Sequence, residues 1–476
     1  MGVKKFENVP YEDALDMTGF GKFNYLMLAL VGSIIMGMAY EIFSVSFLVT
    51  ASACELDTVS SQQALIAGTP LVGIIASSHF WGYLADTKGR RKILCFSLTL
   101  GFCAGFIATF SPNWIVYMLL KFASSCGVAG TYALALTLLG ECTPHSHRPK
   151  MIAYTTSIFL VCTGSMAILT IPVLPLKFSY YIPVLNIHFN SWRLLNIIYC
   201  IPCALGALGM LRSYESPKYL LSVGEEEKAL EILRGIHTIN NGKDAEFKVM
   251  SVSLDEESTR EIVVGLWASL KSQTTPLLKP PLLKKTILLS LLFVIVYFCL
   301  NPYMVWLPFI SDGIMRAMER GDENITFCQM LQTSLDVTKT NVSISIALSG
   351  NKSTGRKTLL ISIQLLSGVA GLLVNLSSSW IVSNILFIIY VSGVLNFGYL
   401  ATFVVDVFPT YVKAMAVCLC LMVGRGSSVL GINILKALLM DHCQLSFYFF
   451  AGLTIVGGLL SFLLPSDLEK KKKAEP

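Results

Sequence analysis

Long apolar runs separated by short polar stretches are the dominant pattern of this 476-residue chain. Runs of roughly 20 apolar residues are long enough to cross a bilayer as helices. The pattern therefore predicts an all-α polytopic membrane protein. Candidate spans fall at about 23–50, 62–85, 93–111, 114–139, 152–175, 193–211, 285–309, 358–377, 380–405, 411–438 and 443–464.

A charged stretch after residue 211 divides these spans into two groups. Because it follows six spans, it predicts two transmembrane halves joined by a polar linker. The predicted organisation is a cytosolic leader (1–22), an N-terminal half of six helices (23–211), a cytosolic linker (212–284), a C-terminal half with five clear helices (285–464) that includes an exofacial loop (310–354), and a basic tail (465–476).

Composition supports the membrane assignment. The chain is 54% hydrophobic and only 14% charged, whereas soluble proteins carry about 25% charged residues. The net charge of +6 comes from bases beside apolar runs, which fits membrane topology better than nucleic-acid binding. Most of the thirteen cysteines lie inside apolar runs, where they act as small core residues. Among those in outward loops, Cys54 and Cys328 form a candidate disulfide.

The distribution of bases sets the orientation. The loop at 86–92 holds four bases, whereas the loop at 52–61 holds none. Cytosolic loops carry an excess of lysine and arginine. The N-terminus and the 212–284 linker are therefore predicted to be cytosolic.

Two motifs recur at nearly the same offset. Acid, proline and base share one spacing in Glu141–Arg148 and in Asp406–Lys413, with an offset of 265 residues. Gly89–Arg91 and Gly355–Lys357 are offset by 266 residues. The repeat predicts two structurally related halves.

The same offset reveals an anomaly in the second half. It places the partner of the second span near 327–350, where Asp336, Lys339 and many hydroxyl side chains stand. A charge at the bilayer centre costs about 2.5–3.5 kcal/mol on insertion scales. The eighth helix is therefore predicted to be missing or degenerate. With eleven spans the basic tail would be exofacial; we expect a cytosolic tail only if 327–350 inserts.

Several motifs resemble known transporter families. The pattern Gly82-x-x-x-Asp86-x-x-Gly89-Arg90-Arg91 is similar to the signature between helices 2 and 3 of the major facilitator superfamily, from which it departs at Thr87. The resemblance implies a major facilitator fold, with two six-helix halves around a midplane cavity that work by alternating access. Segments that resemble synaptic vesicle glycoprotein 2 and its relatives, the last also resembling organic cation and anion transporters, are Tyr11–Leu15, Gly19–Phe23, Glu41–Phe43 and Asp406–Thr410.

The resemblance makes the 82–92 loop a candidate gate. Gly82 and Gly89 are expected to allow close helix approach and a tight turn. Asp86 is expected to meet the cytosolic end of the eleventh helix, where a helix dipole favours an anion. The alternative is that the bases only anchor topology. The charges expected to pair or separate as the halves rock are Asp86, Arg90, Arg91, Glu141, Arg148, Asp406 and Lys413.

Ionisable and polar residues within the spans are the candidate binding residues. Glu41 is expected to bind substrate or a proton, or else to reach interfacial water. Arg425 requires an anionic substrate or a carboxylate partner such as Glu41, or else forms a structural ion pair. Lys121 matches a family arginine, or else snorkels to an interface. Asn301 and Tyr303 flank a proline and either line the cavity or belong to an ordinary kink.

The loop between the seventh and ninth spans carries predicted glycosylation sites at Asn324 and Asn341. Two further sequons do not fit an exofacial loop. Asn351 lies too near the motif Gly355–Lys357, which is expected to be cytosolic, and Asn375 lies too near a membrane edge. No P-loop occurs, and the six histidines are scattered. We therefore expect neither an enzyme nor a metal or other cofactor.

The predicted function is secondary active transport of a small, charged organic solute, with proton coupling through Glu41. The alternative is a transport-silent, synaptic-vesicle-like membrane protein with a trafficking or regulatory role. Either protein would be multi-pass in the plasma membrane or in a vesicle membrane. The expected partners are the solute, protons and the lipid bilayer, and not nucleic acid.

Overall fold

A computed structural model of the chain describes residues 8–242, 247–253, 271, 274–280, 282–307, 310, 326–334, 356–377, 379–408 and 410–464. Most of these residues are helical. The helices are α1 (Tyr11–Asp16), α2 (Lys22–Ser52), α3 (Ser60–Lys88), α4 (Arg90–Ala108), α5 (Trp114–Val128), α6 (Thr131–Glu141), α7 (Arg148–Val173), α8 (Ser191–Leu211), α9 (Pro217–Ser222), α10 (Glu226–Asn241), α11 (Leu283–Cys299), α12 (Phe327–Ser334), α13 (Arg356–Leu373), α14 (Trp380–Ser392), α15 (Asn396–Val407), α16 (Thr410–Asp441) and α17 (Cys443–Leu460).

The apolar composition of these helices confirms the all-α membrane architecture. Within the described residues, eight helices are long and apolar enough to cross a membrane. They lie at Lys22–Ser52, Arg90–Ala108, Trp114–Glu141, Lys150–Val173, Ser191–Leu211, Leu283–Leu307, Leu419–Leu439 and Cys443–Leu463. Helix α3 is also long, at 29 residues, but its serines and glutamines make it less apolar. Lys357–Leu373 and Ile381–Leu395 are apolar but shorter.

The chain divides into two compact units. The first comprises Met1–Ser44 and Ala76–Leu266, and the second comprises Val45–Ile75 and Trp267–Pro476. The C-terminal part of α2 and the N-terminal part of α3 therefore group with the second unit. The predicted boundaries between halves, linker and tail stay a prediction.

Glycines allow the helices of the first unit to pack closely. A Cβ at Gly127 of α5 would lie 2.6 Å from the backbone nitrogen of Gly101 in α4. A Cβ at Gly37 of α2 would lie 2.7 Å from the Cα of Cys203 in α8. Helix backbones that approach this closely leave no room for a side chain, which is how small residues stabilise helix pairs in membranes.

The N-terminal leader packs on the linker. Strand β1 (Val9–Pro10) pairs in parallel with β4 (Val252–Ser253). Beside this short sheet, α1 and α10 bury a small apolar cluster that includes Tyr11, Leu15 and Leu233. The leader and the linker, which are more than two hundred residues apart in sequence, thus form one small folded region.

Ring contacts and hydrogen bonds give the chain direction of the second unit. Helix α17 runs antiparallel to α11, since Phe450 packs on Phe298 at 5.3 Å between ring centroids and Phe447 packs on Tyr303 at 5.2 Å. Helix α17 also runs antiparallel to α13, because Lys357 at the start of α13 donates from Nζ to the carbonyl of Phe462 at 2.9 Å. Helices α11 and α13 therefore run in the same direction.

The predicted eighth span falls between α11 and α13, which run in the same direction. The described residues there include the eight-residue helix α12. Residues 335–350 of the expected span lie outside the described part of the chain, so the missing or degenerate eighth helix stays a prediction.

The disulfide differs from the candidate pair. Cys328, in α12, is bonded to Cys443 at the start of α17, with 5.7 Å between the two Cα atoms. Cys54 is a free, exposed thiol. The proposed Cys54–Cys328 bridge is therefore wrong. The bridge links helix α12, which follows α11, to the first residue of α17. Residues 328 and 443 therefore lie at the same end of the second unit.

Candidate transport site and cytosolic charge cluster

A buried ion pair joins two helices of the first unit. Glu41 of α2 and Lys121 of α5 are each 1% exposed, and Lys121 Nζ lies 3.3 Å from Glu41 Oε2. Lys121 also donates to Ser44 Oγ at 3.0 Å, and Ser124 Oγ donates to Glu41 Oε2 at 2.7 Å. The second carboxylate oxygen, Oε1, has no hydrogen-bond partner among the described residues. A pairing of Glu41 with Arg425, which lies in the other unit, stays a prediction.

The burial of both groups argues against two alternatives, that Glu41 reaches interfacial water and that Lys121 snorkels to an interface. At 1% exposure neither Glu41 nor Lys121 reaches interfacial water. Ionised groups are stable in such a place only when they are paired and hydrogen-bonded. Glu41 and Lys121 therefore form one site.

The site depends on a glycine in a third helix. A Cβ at Gly105 of α4 would lie 2.6 Å from Glu41 Oε2, so this position has no space for a side chain. On the neighbouring turn, Asn196 of α8 donates from Nδ2 to the carbonyl of Gly105 at 2.9 Å and to Thr109 Oγ1 at 2.8 Å. Four helices of one unit therefore meet around the carboxylate.

Arg193, one turn before Asn196, completes this polar region. Its guanidinium is fully buried and donates to the backbone carbonyls of Thr109 and Ser111, the latter at 3.0 Å. It also lies 4.5 Å above the Trp192 ring. These contacts hold the end of α4 against the start of α8.

The second unit contains the polar residues expected around the seventh span. Asn301 donates from Nδ2 to Ser428 Oγ in α16 at 2.7 Å. Tyr303 is fully buried, and its ring centroid lies 5.1 Å from that of Tyr390 and 5.2 Å from that of Phe447. Tyr303 therefore packs among aromatic rings. Asn301 links two helices by a hydrogen bond between side chains.

Arg425 occupies the middle of α16. Its side chain is partly exposed, and it forms no hydrogen bond or ion pair with the described residues. The preceding Gly424 is held close to α11, since a Cβ there would lie 2.7 Å from the Tyr297 ring. A guanidinium in an apolar span can bind an anion with planar geometry.

Helix α4 begins at a tight turn that Gly89 makes. Gly89 has φ of +99°, a conformation that side chains rarely adopt, and a Cβ there would lie 2.6 Å from Glu215 Oε2. The Glu215 carboxylate accepts from the backbone nitrogen of Arg91 at 2.9 Å. An acid at a helix N-terminus is stabilised by free N–H groups and by the helix dipole. The tight turn expected at Gly89 is confirmed.

No close helix approach is found at Gly82 within the described residues. No atom of these residues lies within 4 Å of a Cβ built at Gly82. The side chains at the start of α16 lie outside the described residues, so the close approach expected at Gly82 stays a prediction. Thr87, where the family has a base, donates its hydroxyl back to the carbonyl of Tyr83 at 3.0 Å.

The charges at the starts of α4 and α7 form a chain of contacts that includes the leader. Arg90 lies 3.4 Å from Glu141, and Arg148 lies 2.8 Å from Glu12 of α1. Tyr11, next to Glu12, donates its hydroxyl to the backbone carbonyl of Glu141. Burial, and then the neighbouring negative charges, raise the pKa of Tyr11 well above its usual value, so the hydroxyl stays protonated and remains a donor.

The two copies of the Gly-base-base motif make the same type of contact. Arg91 donates from Nε to the carbonyl of Met210 at 3.1 Å and from a terminal nitrogen to the carbonyl of Leu211 at 2.5 Å, at the end of α8. Lys357 donates to the carbonyls of Phe462 and Leu464, just after α17. In each case the second base of the motif donates hydrogen bonds to backbone carbonyls near the C-terminal end of a helix, where the helix dipole favours a positive charge.

The acid and base of the other repeat also keep their places on the helices. Glu141 ends α6 and Arg148 begins α7, whereas Asp406 stands one residue before the end of α15 and Lys413 lies in the first turn of α16. The side chains of Asp86, Asp406 and Lys413 lie outside the described residues. Their roles in gating stay predictions.

The glycosylation sites Asn324 and Asn341 lie outside the described residues and stay predictions. Asn375 is described, is 7% exposed, and accepts through Oδ1 from the backbone nitrogen of Cys328 at 3.2 Å. A buried, bonded amide has no room for a glycan, in agreement with its exclusion from the predicted sites.

Comparisons with known proteins identify the fold. The E. coli xylose transporter XylE, in a partially occluded inward-open conformation, superposes with a TM-score of 0.65 at 17% identity and covers 94% of this chain and 98% of that chain. XylE described as a proton:xylose symporter, bound to 6-bromo-6-deoxy-D-glucose, gives a TM-score of 0.62. At this level of identity the likeness shows the fold alone. The fold is that of the major facilitator superfamily.

The family profile described as "Sugar (and other) transporter" matches residues 23–466. The chain belongs to this family. Its curated relatives include human synaptic vesicle glycoprotein 2B, 26% identical over 54% of this chain and 39% of the relative. The Caenorhabditis elegans protein svop-1 is 24% identical over 97% of this chain and 86% of its own length. The chain thus spans only about two fifths of the synaptic vesicle glycoproteins that it matches. The family and fold are those of transporters rather than enzymes.

Three further charged residues make contacts that no predicted role covers: Lys436 and Arg193 in the spans, and Glu12 in the leader. Lys436 of α16 is 4% exposed, and its Nζ lies 4.4 Å above the Trp306 ring. Arg193 is fully buried. Both are charges inside apolar runs, which is the same signal that marks Arg425. Glu12 lies in the segment Tyr11–Leu15, but nothing local indicates its contact with Arg148, which is 136 residues away.

Proposed function

We propose that the chain is a proton-coupled secondary transporter and that the Glu41–Lys121 pair is its coupling element. The observation that carries the proposal is this buried pair, in which the acid can take up a proton and the base sits on a different helix. The relatives of known fold include a proton:xylose symporter, which supports the same type of mechanism.

A proton on Glu41 would change what joins α2 to α5. The ionised carboxylate attracts Lys121 across 3.3 Å at a buried position. The protonated carboxyl is neutral, so that attraction is lost, and Lys121 keeps Ser44 as its acceptor. Proton binding therefore weakens the link between two helices, and a transporter can couple this change to the switch between its two states.

The charges within the spans favour a solute that carries an anionic group. Lys121 already neutralises Glu41, so this site presents little net charge. Arg425, by contrast, has no ion-pair partner among the described residues. A guanidinium binds a carboxylate or phosphate through two parallel hydrogen bonds. We therefore propose a small organic anion, with a sugar acid as the first class to test.

The test is uptake into proteoliposomes under an inward proton gradient. The panel contains sugar acids, neutral sugars, other organic carboxylates and organic cations. Glu41→Gln, which mimics the neutral carboxyl, is expected to abolish the stimulation by the gradient while exchange of solute without a gradient survives. Glu231→Gln, at an exposed position of α10, serves as the matched control. Stimulation that persists in Glu41→Gln would remove the coupling role.

The second candidate is a transport-silent protein with a trafficking or regulatory role. The similarity to the synaptic vesicle glycoproteins favours it. It predicts that no solute of the panel moves through the wild-type chain under any gradient, although the purified protein is folded. Movement of any solute that depends on Arg425 would exclude it.

A further inference from the structure

We infer that the hairpin between α7 and α8 is a membrane anchor whose apolar tip lies in the interface of the outer leaflet. The hairpin consists of β2 (Tyr180–Ile182) and β3 (Ile187–Phe189), paired antiparallel with Tyr180 opposite Phe189. The distribution of bases places this loop on the exofacial side.

The tip exposes apolar and aromatic side chains. Val184 is 92% exposed, Tyr180 is 69% exposed and Tyr181 is 53% exposed. Leu185 is 41% exposed. Apolar side chains lower their free energy when they leave water. A cluster of exposed apolar groups therefore marks a surface that contacts a membrane or a partner.

The hairpin has a defined turn although its tip is exposed. Asn186 adopts a φ of +51°, and its Oδ1 accepts from the Tyr181 hydroxyl at 2.8 Å. Ile187 at the base is only 3% exposed. The turn thus holds Val184 and Leu185 outwards instead of folding them onto the protein.

An aromatic ladder joins the hairpin to the lipid-facing surface of α4. The contacts between neighbouring ring centroids range from 5.6 to 6.4 Å. Ile107, on the same helix, is 53% exposed within an apolar span, so this face contacts lipid. The rings of the ladder, from the span to the hairpin, are Phe102, Phe106, Phe110, Phe189, Phe178 and Tyr180.

The low charge and the short length of the hairpin favour contact with lipid over contact with a soluble partner. The connection from Leu174 to Asn190 contains no acid, and its formal charge comes from Lys177 alone. Tyrosine is enriched at membrane interfaces because its ring is apolar and its hydroxyl is polar. A strand of three residues extends about 10 Å, which keeps the tip near the headgroup region at the end of the spans.

The test is photocrosslinking of the full chain in vesicles of phosphatidylcholine and phosphatidylglycerol. The photoreactive residue p-benzoylphenylalanine replaces Val184 or, in a second variant, Leu185. Ile107 in α4 is the lipid-facing control, and Glu227 at an exposed position of α10 is the solvent-facing control. Lipid adducts are measured by mass spectrometry after irradiation.

We expect the adduct yield at Val184 and Leu185 to approach that at Ile107 and to exceed that at Glu227 by about fivefold or more. Yields at both tip positions that equal the yield at Glu227 would overturn the proposal and leave the tip to a protein partner. Since the purified chain is reconstituted alone, no such partner can hide the lipid in this experiment.

Discussion

The Glu41–Lys121 pair gives a prediction that tests how the site is stabilised. The two groups are each 1% exposed and lie 3.3 Å apart. With an effective dielectric constant of about 20, their attraction is about 5 kcal/mol. Replacement of one partner leaves the other as an uncompensated buried charge, which destabilises a protein by about 3–5 kcal/mol.

Lys121→Met and Glu41→Gln are therefore each expected to lower the free energy of unfolding, Lys121→Met by about 3–5 kcal/mol. The double variant is expected to be more stable than Lys121→Met, because it leaves no charge behind. The assay is unfolding in mixed micelles by titration with sodium dodecyl sulfate, followed by circular dichroism. Effects of the two single changes that simply add in the double variant would refute the pairing, since independent sites are additive.

Further variants test the other contacts. Gly105→Ala is expected to cost about 1–3 kcal/mol of stability because its Cβ would meet Glu41, whereas Gly164→Ala, where the added Cβ has open space, is expected to be neutral or stabilising in the same unfolding assay. Mass spectrometry of unreduced peptides is expected to find Cys328 linked to Cys443 and Cys54 free, and a Cys54 link would contradict the structure. Arg91→Gln and Lys357→Gln are each expected to lower stability by about 1 kcal/mol through the loss of helix-end contacts, whereas the exposed Lys92→Gln should have no effect. An epitope fused after the last residue is expected to be inaccessible from outside intact cells, because α17 starts at the disulfide to Cys328, in the loop predicted to be exofacial, and ends beside the start of α13.

The spans and the repeat could be predicted from the sequence because their signals are local. Apolar runs located the helices, and equal spacing placed Glu141 and Asp406 at the ends of corresponding helices. Glu41 and Lys121 were each found as charges inside apolar runs, but their contact was not, since nothing in the sequence gives the rotation of one helix relative to another.

The rest depended on contacts between distant segments. The sequence of the leader predicts no contact with the rest of the chain, but Val9 pairs with Val252 and Glu12 with Arg148. Such pairings arise from the tertiary fold and have no periodic signature. The disulfide was wrongly assigned for the same reason: several cysteines in outward loops allow more than one pairing, and only the packing of α12 against α17 selects Cys443.

The contacts of Arg91 and Lys357 also have a mechanical consequence. Arg91 donates hydrogen bonds to carbonyls at the end of α8, and Lys357 donates to carbonyls just after α17. A force applied to the chain beyond Leu211 or beyond Leu464 therefore reaches the first turn of α4 or of α13 directly. A partner that pulled on the chain after α8 would act on the helix that carries Gly105, which lies against the carboxylate of Glu41.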